Sequence, residues 1–89
     1  MSEPQETLFE FPCDFPLKVF GEAQPGFAQA IAEVVLRHAP EFDTASIEMR
    51  SSSKAKYLSL TCTFRADSKE QLDALYRELT GHPMVKMVL

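Results

Sequence analysis

The chain of 89 residues is long enough for one small domain and too short for two. Hydrophobic residues make up 45% of it and charged residues 25%, proportions typical of a globular protein with a buried core. The net charge of −4 argues against a general binder of nucleic acid or of an anionic membrane surface, because both require a positively charged protein surface.

Cysteine usage and hydropathy indicate the cellular compartment. The two cysteines, Cys13 and Cys62, lack the CxxC spacing of a redox or metal motif. The chain starts with an acidic stretch instead of a basic leader, and no apolar run reaches the roughly 18–20 residues of a membrane span. We therefore expect a cytoplasmic protein with reduced thiols and without a signal peptide or a membrane segment.

The first half of the chain predicts a tail, a strand and a helix. Residues 1–13 turn from acidic to aromatic and are expected to form a partly docked tail, which leaves residues 14–89 as the single domain. Alternating side chains over residues 15–22 predict the first strand. Pro25 suits a first helical turn, and apolar side chains recur at helical spacing from there to His38, after which a proline ends the helix.

The second half predicts two strands joined by a serine-rich hairpin loop, then a helix and a last strand. Alternation over residues 44–50 indicates the second strand, and the third shows the clearest alternation in the chain. Ser68 and Gln71 form a capping box at the start of the second helix, which Gly81 ends. Residues 83–89 are short and apolar enough for a fourth strand. The inward side chains of the third strand are expected to be Leu58, Leu60, Cys62, Phe64 and Ala66.

The resulting order, βαββαβ, predicts an α+β fold of the ferredoxin-like sandwich type. Right-handed crossovers place both helices on one face of a four-stranded antiparallel sheet whose first and third strands are central. The other face is expected to be more apolar than a monomer leaves in water, so that either the N-terminal tail or a second subunit covers it. The apolar side chains expected on this open face are Phe20, Tyr57, Met84 and Val88.

No arrangement of residues in the sequence points to catalysis. His38 and His82 have no companion at the spacing of a zinc site, and no serine, aspartate or glutamate is placed by pattern to complete a triad. His38 is interpreted as a capping group at the end of the first helix, and Cys62 as a small core residue. We expect no catalytic residue, no metal and no cofactor.

Segments along nearly the whole chain carry a family resemblance. They are Leu8-Phe9-Glu10-Phe11-Pro12, Phe15, Lys18-Val19-Phe20-Gly21, the run from Val34 to Pro40, Ser52-Ser53-Lys54 and the run from Val85 to Leu89. In this order and spacing they look like the YbeD family of small bacterial proteins of uncharacterised function. The resemblance implies a ferredoxin-like sandwich similar to the ACT regulatory domains, which bind amino acids and other small effectors.

The likeness to ACT domains also points to the turn between the first strand and the first helix. Such domains commonly carry an acidic or amide residue shortly before Pro-Gly, and the effector lies against this turn near a subunit boundary. Backbone N–H groups at the helix start would hold a carboxylate, and the Gln24 amide would orient the ligand. A turn that merely starts a helix explains the same residues. The effector-binding residues expected on this basis are Gly21, Glu22, Gln24 and Gly26.

These observations predict a non-catalytic regulatory or adaptor module that binds a small effector such as an amino acid, or a protein partner, and forms a homodimer. The alternative is a pure protein-interaction module that uses the open sheet face and the edge strands. A small enzyme or an RNA-binding domain fits less well, since the middle strands lack the paired aromatic residues that stack RNA bases. Neither nucleic acid nor a membrane is expected as a partner.

Overall fold

The computed structural model describes residues 11–52 and 54–89. Residues 1–10 of the predicted tail and Ser53 of the predicted hairpin loop lie outside the described residues. The elements follow the predicted order βαββαβ, with one 3-10 turn before the second strand. They are β1 (Cys13–Glu22), α1 (Phe27–His38), the 3-10 turn (Thr44–Ser46), β2 (Glu48–Ser51), β3 (Tyr57–Ala66), α2 (Lys69–Thr80) and β4 (Met87–Val88).

The four strands form one antiparallel sheet in the order β2-β3-β1-β4, which confirms the predicted ferredoxin-like sandwich. β1 pairs with β3 over its whole length, from Cys13 opposite Ala66 to Glu22 opposite Tyr57. β2 lies along part of the outer edge of β3, and β4 pairs with β1 through two residues. The two longest strands are therefore the central ones, as the predicted topology requires.

The core lies between the two helices and one face of the sheet. The buried side chains of the core form one cluster. Burial of a whole aliphatic or aromatic side chain contributes about 1.5–3 kcal/mol, so this cluster accounts for most of the favourable folding energy. Cys62 belongs to this cluster, which confirms its interpretation as a core residue. The largest fully buried side chains are Phe27, Leu17, Ile31, Leu60, Leu75, Leu79, Val19, Val34, Val35 and Cys62.

The second strand begins later than predicted, because local hydrogen bonds hold the preceding residues in a 3-10 turn. The Asp43 carboxylate accepts a hydrogen bond from the Ala45 N–H at 3.0 Å, and the Ser46 hydroxyl donates to the Asp43 carbonyl at 2.6 Å. Short polar side chains often compete with strand pairing in this way. The predicted strand from Thr44 is therefore wrong in its first residues, and β2 starts at Glu48.

The first helix also begins later than predicted. Gly26 has a φ of +83°, in the left-handed region that residues other than glycine rarely adopt, so it cannot continue a helix. Pro25 therefore lies in the turn before α1 rather than in its first turn, and Phe27 is the first helical residue. The Phe27 N–H donates to the Gln24 carbonyl at 3.3 Å, which closes this turn.

The last strand is shorter than predicted. Of residues 83–89, only Met87–Val88 form a strand, although the N–H of Lys86 also donates to a β1 carbonyl at 2.7 Å. Before the strand, the Met84 N–H donates to Nδ1 of His82 at 3.1 Å. This hydrogen bond turns the chain toward the sheet and delays extended pairing.

The predicted cap of the second helix is confirmed, with one change in its partners. The Ser68 hydroxyl accepts the Gln71 N–H at 3.1 Å. The Gln71 side-chain oxygen accepts the Asp67 N–H, one residue earlier than in a standard capping box. The Gln71 side-chain nitrogen also donates to the His38 carbonyl at 2.7 Å, so one amide joins the start of α2 to the end of α1.

The Glu78 carboxylate of α2 binds two side chains at the same end of α1. It accepts a hydrogen bond from Arg37, and its second carboxylate oxygen lies 2.7 Å from Nε2 of His38. His38, predicted to cap its own helix, is the last residue of α1, and its ring also contacts a carboxylate of the other helix. The Arg37 guanidinium, and then the His38 ring, hold the pKa of the Glu78 carboxyl below its usual range.

We expect Glu78→Gln to lower the free energy of unfolding near neutral pH. The folded-state pKa of Glu78 is lower than its unfolded value of about 4.3, so this contribution is complete above that value and disappears as the pH falls through the folded-state pKa. The effect is small because the groups are partly exposed. Urea denaturation over a series of pH values measures it.

Glu41→Gln is the matched control, because the Glu41 carboxylate has no ion pair in the described part of the chain. This variant should unfold like the unmodified protein at every pH. If Glu78→Gln loses the same free energy of unfolding at low pH, where the carboxyl groups are protonated, the electrostatic explanation is wrong.

Candidate functional site

The face of the sheet away from the helices carries an exposed apolar group. Residues paired across antiparallel strands point to the same face, so Met87 lies beside Phe20, and Leu89 follows on the same side. Tyr57, opposite Glu22, borders Phe20 diagonally. Tyr57, Met87 and Leu89 are 44%, 53% and 61% exposed, and Phe20 is partly buried. We call the following four residues the apolar patch: Phe20, Tyr57, Met87 and Leu89.

Met84 and Val88, which were expected on the open face, lie elsewhere. Val88 is opposite the fully buried Val19, so it points to the helix side and packs against the core. Met84 precedes β4 and also packs partly buried against the core. The predicted alternation is wrong by one residue here, because a strand of two residues is too short for its period to reveal its face. Phe20 and Tyr57 lie on the predicted face.

Charged side chains flank the apolar patch on β1. Lys18 and Glu22 each lie two residues from Phe20, so all three point to the open face, and both charged residues are exposed. The Glu22 carboxylate is 3.7 Å from the Lys86 ammonium, but both side chains are more than half exposed. Such a pair contributes little stability and is readily exchanged for another partner. β1 therefore presents a cation, an apolar ring and an anion in a row.

The four predicted effector residues lie at the end of β1 and in the turn before α1. Glu22, Gln24 and Gly26 are exposed, whereas Gly21 is buried. No side chain caps the helix start at Gly26. The turn adjoins the apolar patch because Glu22 ends the strand that carries Phe20. Effector binding by these residues stays a prediction.

Gly21 has a packing role that its place in the sequence does not reveal. A Cβ atom at this position would overlap the Met84 carbonyl oxygen and would lie 2.6 Å from the ring of Phe27. The absence of a side chain thus allows the segment before β4 and the first residue of α1 to meet over the end of β1. This close approach positions both the turn and the strand that completes the apolar patch.

We expect Gly21→Ala to lower the free energy of unfolding by about 1–3 kcal/mol, the usual range for overpacking a filled site. The matched control is Gly81→Ala, whose new Cβ would meet the nearest atom, the Arg77 carbonyl oxygen, at an ordinary 3.4 Å and at an α-helical backbone conformation. The control should change stability by less than about 0.5 kcal/mol. Urea denaturation of both variants measures the difference, and equal stability would contradict the close packing at Gly21.

The described residues form no arrangement that resembles a metal centre. Within residues 11–52 and 54–89, no group of three or more His, Cys, Asp or Glu side chains lies close enough to hold one ion. Burial raises the pKa of the Cys62 thiol to about 11, so it remains protonated near neutral pH and is a poor nucleophile. In the same part of the chain, no helix combines the length and apolar character needed to cross a bilayer.

The element order and the sheet topology define an ACT-like, ferredoxin-like domain. The ACT domain from the GTP pyrophosphokinase of Chlorobium tepidum superposes with a TM-score of 0.57 over 86% of this chain and 97% of that domain, at 20% identity. The solution structure of protein HP0495 from H. pylori superposes with a TM-score of 0.73 over 100% of this chain and 97% of that chain, at 14% identity. At these identities the likeness concerns the fold alone.

Residues 6–89 match a family described as a protein of unknown function, DUF493, and the chain belongs to this family. A UPF0250 protein of Bordetella pertussis is 59% identical over 86 residues, which cover 97% of this chain and 94% of that protein. A UPF0250 protein of Nitrosomonas europaea is 52% identical over 85 residues, which cover 96% and 98% of the two chains. The family resemblance predicted from the sequence is thereby confirmed.

Proposed function

We propose that this protein is a non-catalytic regulatory or adaptor module of the bacterial cytoplasm, and that it acts as a homodimer joined through the open sheet face. The observation that carries the proposal is the apolar patch, in which three side chains on the two sides of the partly buried Phe20 are each about half exposed. A contiguous apolar group of this kind marks an interaction surface. The ACT domain of similar fold is one domain of an enzyme, which supports a regulatory role.

The charges beside the apolar patch favour a second copy of this chain as its occupant. Lys18 and Glu22 lie at equal distances from Phe20, each roughly 6.6 Å along the strand at about 3.3 Å per residue. Two copies can stack with their open faces together about a two-fold axis that runs midway between the sheets, perpendicular to β1 and level with Phe20. This axis makes the two β1 strands antiparallel. Lys18 then faces the partner's Glu22, Glu22 faces the partner's Lys18, and the two Phe20 rings meet at the axis.

This arrangement also removes the rest of the apolar patch from water. Met87 and Leu89 flank Phe20 on the β4 side, and Tyr57 flanks it on the β3 side. Sheets that pack face to face lie about 10 Å apart, a distance at which side chains of this size interdigitate. The contact is therefore both apolar at its centre and complementary in charge along β1.

The regulatory part of the proposal concerns the turn formed by Gly21, Glu22, Gln24 and Gly26. Glu22 belongs both to this turn and to the charge pairs of the two-fold contact. A ligand bound at the turn would thus lie at the boundary between two copies and would change how strongly they associate. A difference in ligand affinity between monomer and dimer is sufficient for such regulation, and no chemical step by the protein is needed.

Met87→Glu should convert the dimer to a monomer, because it places a charge inside the apolar contact. Met49→Glu is the matched control: Met49 is 55% exposed against 53% for Met87, but it lies opposite Leu60 on the helix side of the sheet. Size exclusion with light scattering should give the unmodified protein and the control twice the mass of Met87→Glu, and circular dichroism checks that each variant folds. A wild-type protein that stays monomeric up to about 100 μM would refute the dimer.

Charge reversal tests the position of the two-fold axis. Lys18→Glu alone brings two carboxylates together on each side of Phe20 and should weaken dimerisation by about tenfold. Lys18→Glu combined with Glu22→Lys restores opposite charges across the axis and should recover the affinity. If the double variant loses as much dimer affinity as the two single variants together, the two sheets do not meet in this orientation and the proposed axis is wrong.

A further inference from the structure

The outer edge of β3 is open beyond the end of β2. β2 pairs with β3 only as far as Thr61. The Tyr57 carbonyl accepts the Ser52 N–H across the hairpin at 2.9 Å, and alternate residues of a strand point their backbone groups to the same side. The N–H and carbonyl groups of Thr63 and Arg65 therefore point to the β2 side. In the part of the chain that the structure describes, no backbone hydrogen bond reaches them there.

The residues just before β2 lie beside this edge, in the 3-10 turn, which contacts β3. Glu48 is the first residue of β2 that pairs with β3. If the same register continued backward along the chain, Ser46 would lie opposite Thr63. Two residues earlier, Thr44 would lie opposite Arg65. The partners that this edge lacks are thus the residues of the turn itself.

The side chains of the turn alternate as those of a strand do. Met49 of β2 lies opposite the buried Leu60, on the helix side of the sheet. In an extended chain Ala45 and Ile47 would point to the same side, and Ile47 packs against the core in the turn as well. Ser46 would point to the open face. An extended segment would therefore place its apolar side chains inward and its polar ones outward.

Only local hydrogen bonds hold the turn against this alternative. The Ala45 N–H donates to the Asp43 carboxylate and the Ser46 N–H to the Asp43 carbonyl, each at 3.0 Å. The Ile47 N–H donates to the Thr44 carbonyl at a longer 3.4 Å. All four residues from Asp43 to Ser46 are exposed, so no buried side chain fixes their conformation.

We propose that residues 43–46 form a strap with two states, a conformational switch at the edge of the sheet. In one state Asp43 caps the 3-10 turn, and the edge of β3 is open. In the other state the strap lengthens β2 along β3 and closes this edge. A partner or ligand that binds one state more tightly than the other shifts the population toward it.

The two states differ little in their hydrogen bonds. Extension breaks the local bonds of the turn and forms backbone bonds between Ser46 and Thr63 and between Thr44 and Arg65. It also lengthens the strap by roughly 4 Å, because a strand rises about 3.3 Å per residue and a 3-10 helix about 2.0 Å. The connection from α1 supplies this length from its exposed residues 40–41.

The switch does not depend on the proposed two-fold contact. Arg65 lies opposite Asp14, and Asp14 is six residues from Phe20 on β1, a separation of roughly 20 Å at about 3.3 Å per residue. The strap is therefore remote from the centre of the apolar patch. The Met87→Glu variant, designed to be monomeric, should switch as the unmodified protein does.

Asp43→Ala tests the switch, because it removes the carboxylate that accepts the Ala45 N–H. In the ¹⁵N-labelled full chain, amide hydrogen exchange of Thr63 and Arg65 should slow by about tenfold or more. A nuclear Overhauser effect should appear between the Hα atoms of Ala45 and Phe64, which lie opposite each other without hydrogen bonds in the extended register. Asp43→Asn is the matched control: its side-chain oxygen still accepts the Ala45 N–H, so neither signal should change.

Thr44→Pro is the opposite test, because it favours the turn. Proline suits the first residue of a helical turn, and Asp43 before it has the extended conformation that precedes a proline, with φ −90° and ψ 105°. Proline also has no N–H to pair with the Arg65 carbonyl. Combined with Asp43→Ala, Thr44→Pro should restore fast exchange of the Arg65 amide.

Ala45→Val is an independent route to the extended state, because a β-branched side chain favours a strand and Asp43 stays in place. It should slow the same two amides, and it keeps the test decisive if Asp43→Ala does not fold. Unchanged exchange of Thr63 and Arg65 in the folded variants would overturn the switch. So would slow exchange that disappears on dilution or with Met87→Glu, since a second copy would then pair with β3. Failure of dimerisation with intact switching would refute the two-fold contact alone.

Discussion

The pairing of β1 with β3 over the full length of both strands is the constraint on which the rest of the structure depends. It places Leu17 and Val19 beside the inward side chains of β3, on the face that the helices cover. Because side chains alternate along a strand, the same register sends Phe20 to the opposite face. A slip of one residue would bury Lys18 and expose Val19, at the cost of the core. Burial of the core thus decides which side chains remain for binding.

The lengths of the outer strands then create different surfaces at the two ends of the sheet. β4 pairs with only part of β1, so Met87 lies opposite Phe20 and Leu89 opposite Lys18, which completes the apolar patch. β2 pairs with only the first part of β3, so within the described residues no strand pairs with the other side of Thr63 and Arg65. One end offers apolar area with balanced charges, which suits another protein surface.

Contacts between the helices could not be predicted from the sequence. Gln71 and Glu78 of α2 both bind the end of α1, although they are 33 to 41 residues distant from their partners along the chain. Local motifs describe only neighbours, so the capping box predicted the role of Ser68 correctly, whereas no local pattern showed that His38 also binds Glu78. The close approach that requires Gly21 to lack a side chain is likewise a contact between distant segments.

The sequence sufficed for the architecture, because long alternating strands and helical apolar stripes each reveal which face is buried, and right-handed crossovers leave few ways to join them. It also sufficed to place Phe20 and Tyr57 on the open face, since both lie in strands long enough for the period to be read. The tertiary structure decided that Met87 rather than Val88 borders Phe20, and that Glu78 of α2 binds Arg37 and His38 of α1. Those outcomes depend on where short segments stop and which distant hydrogen bonds they form, and a local period carries no information about either.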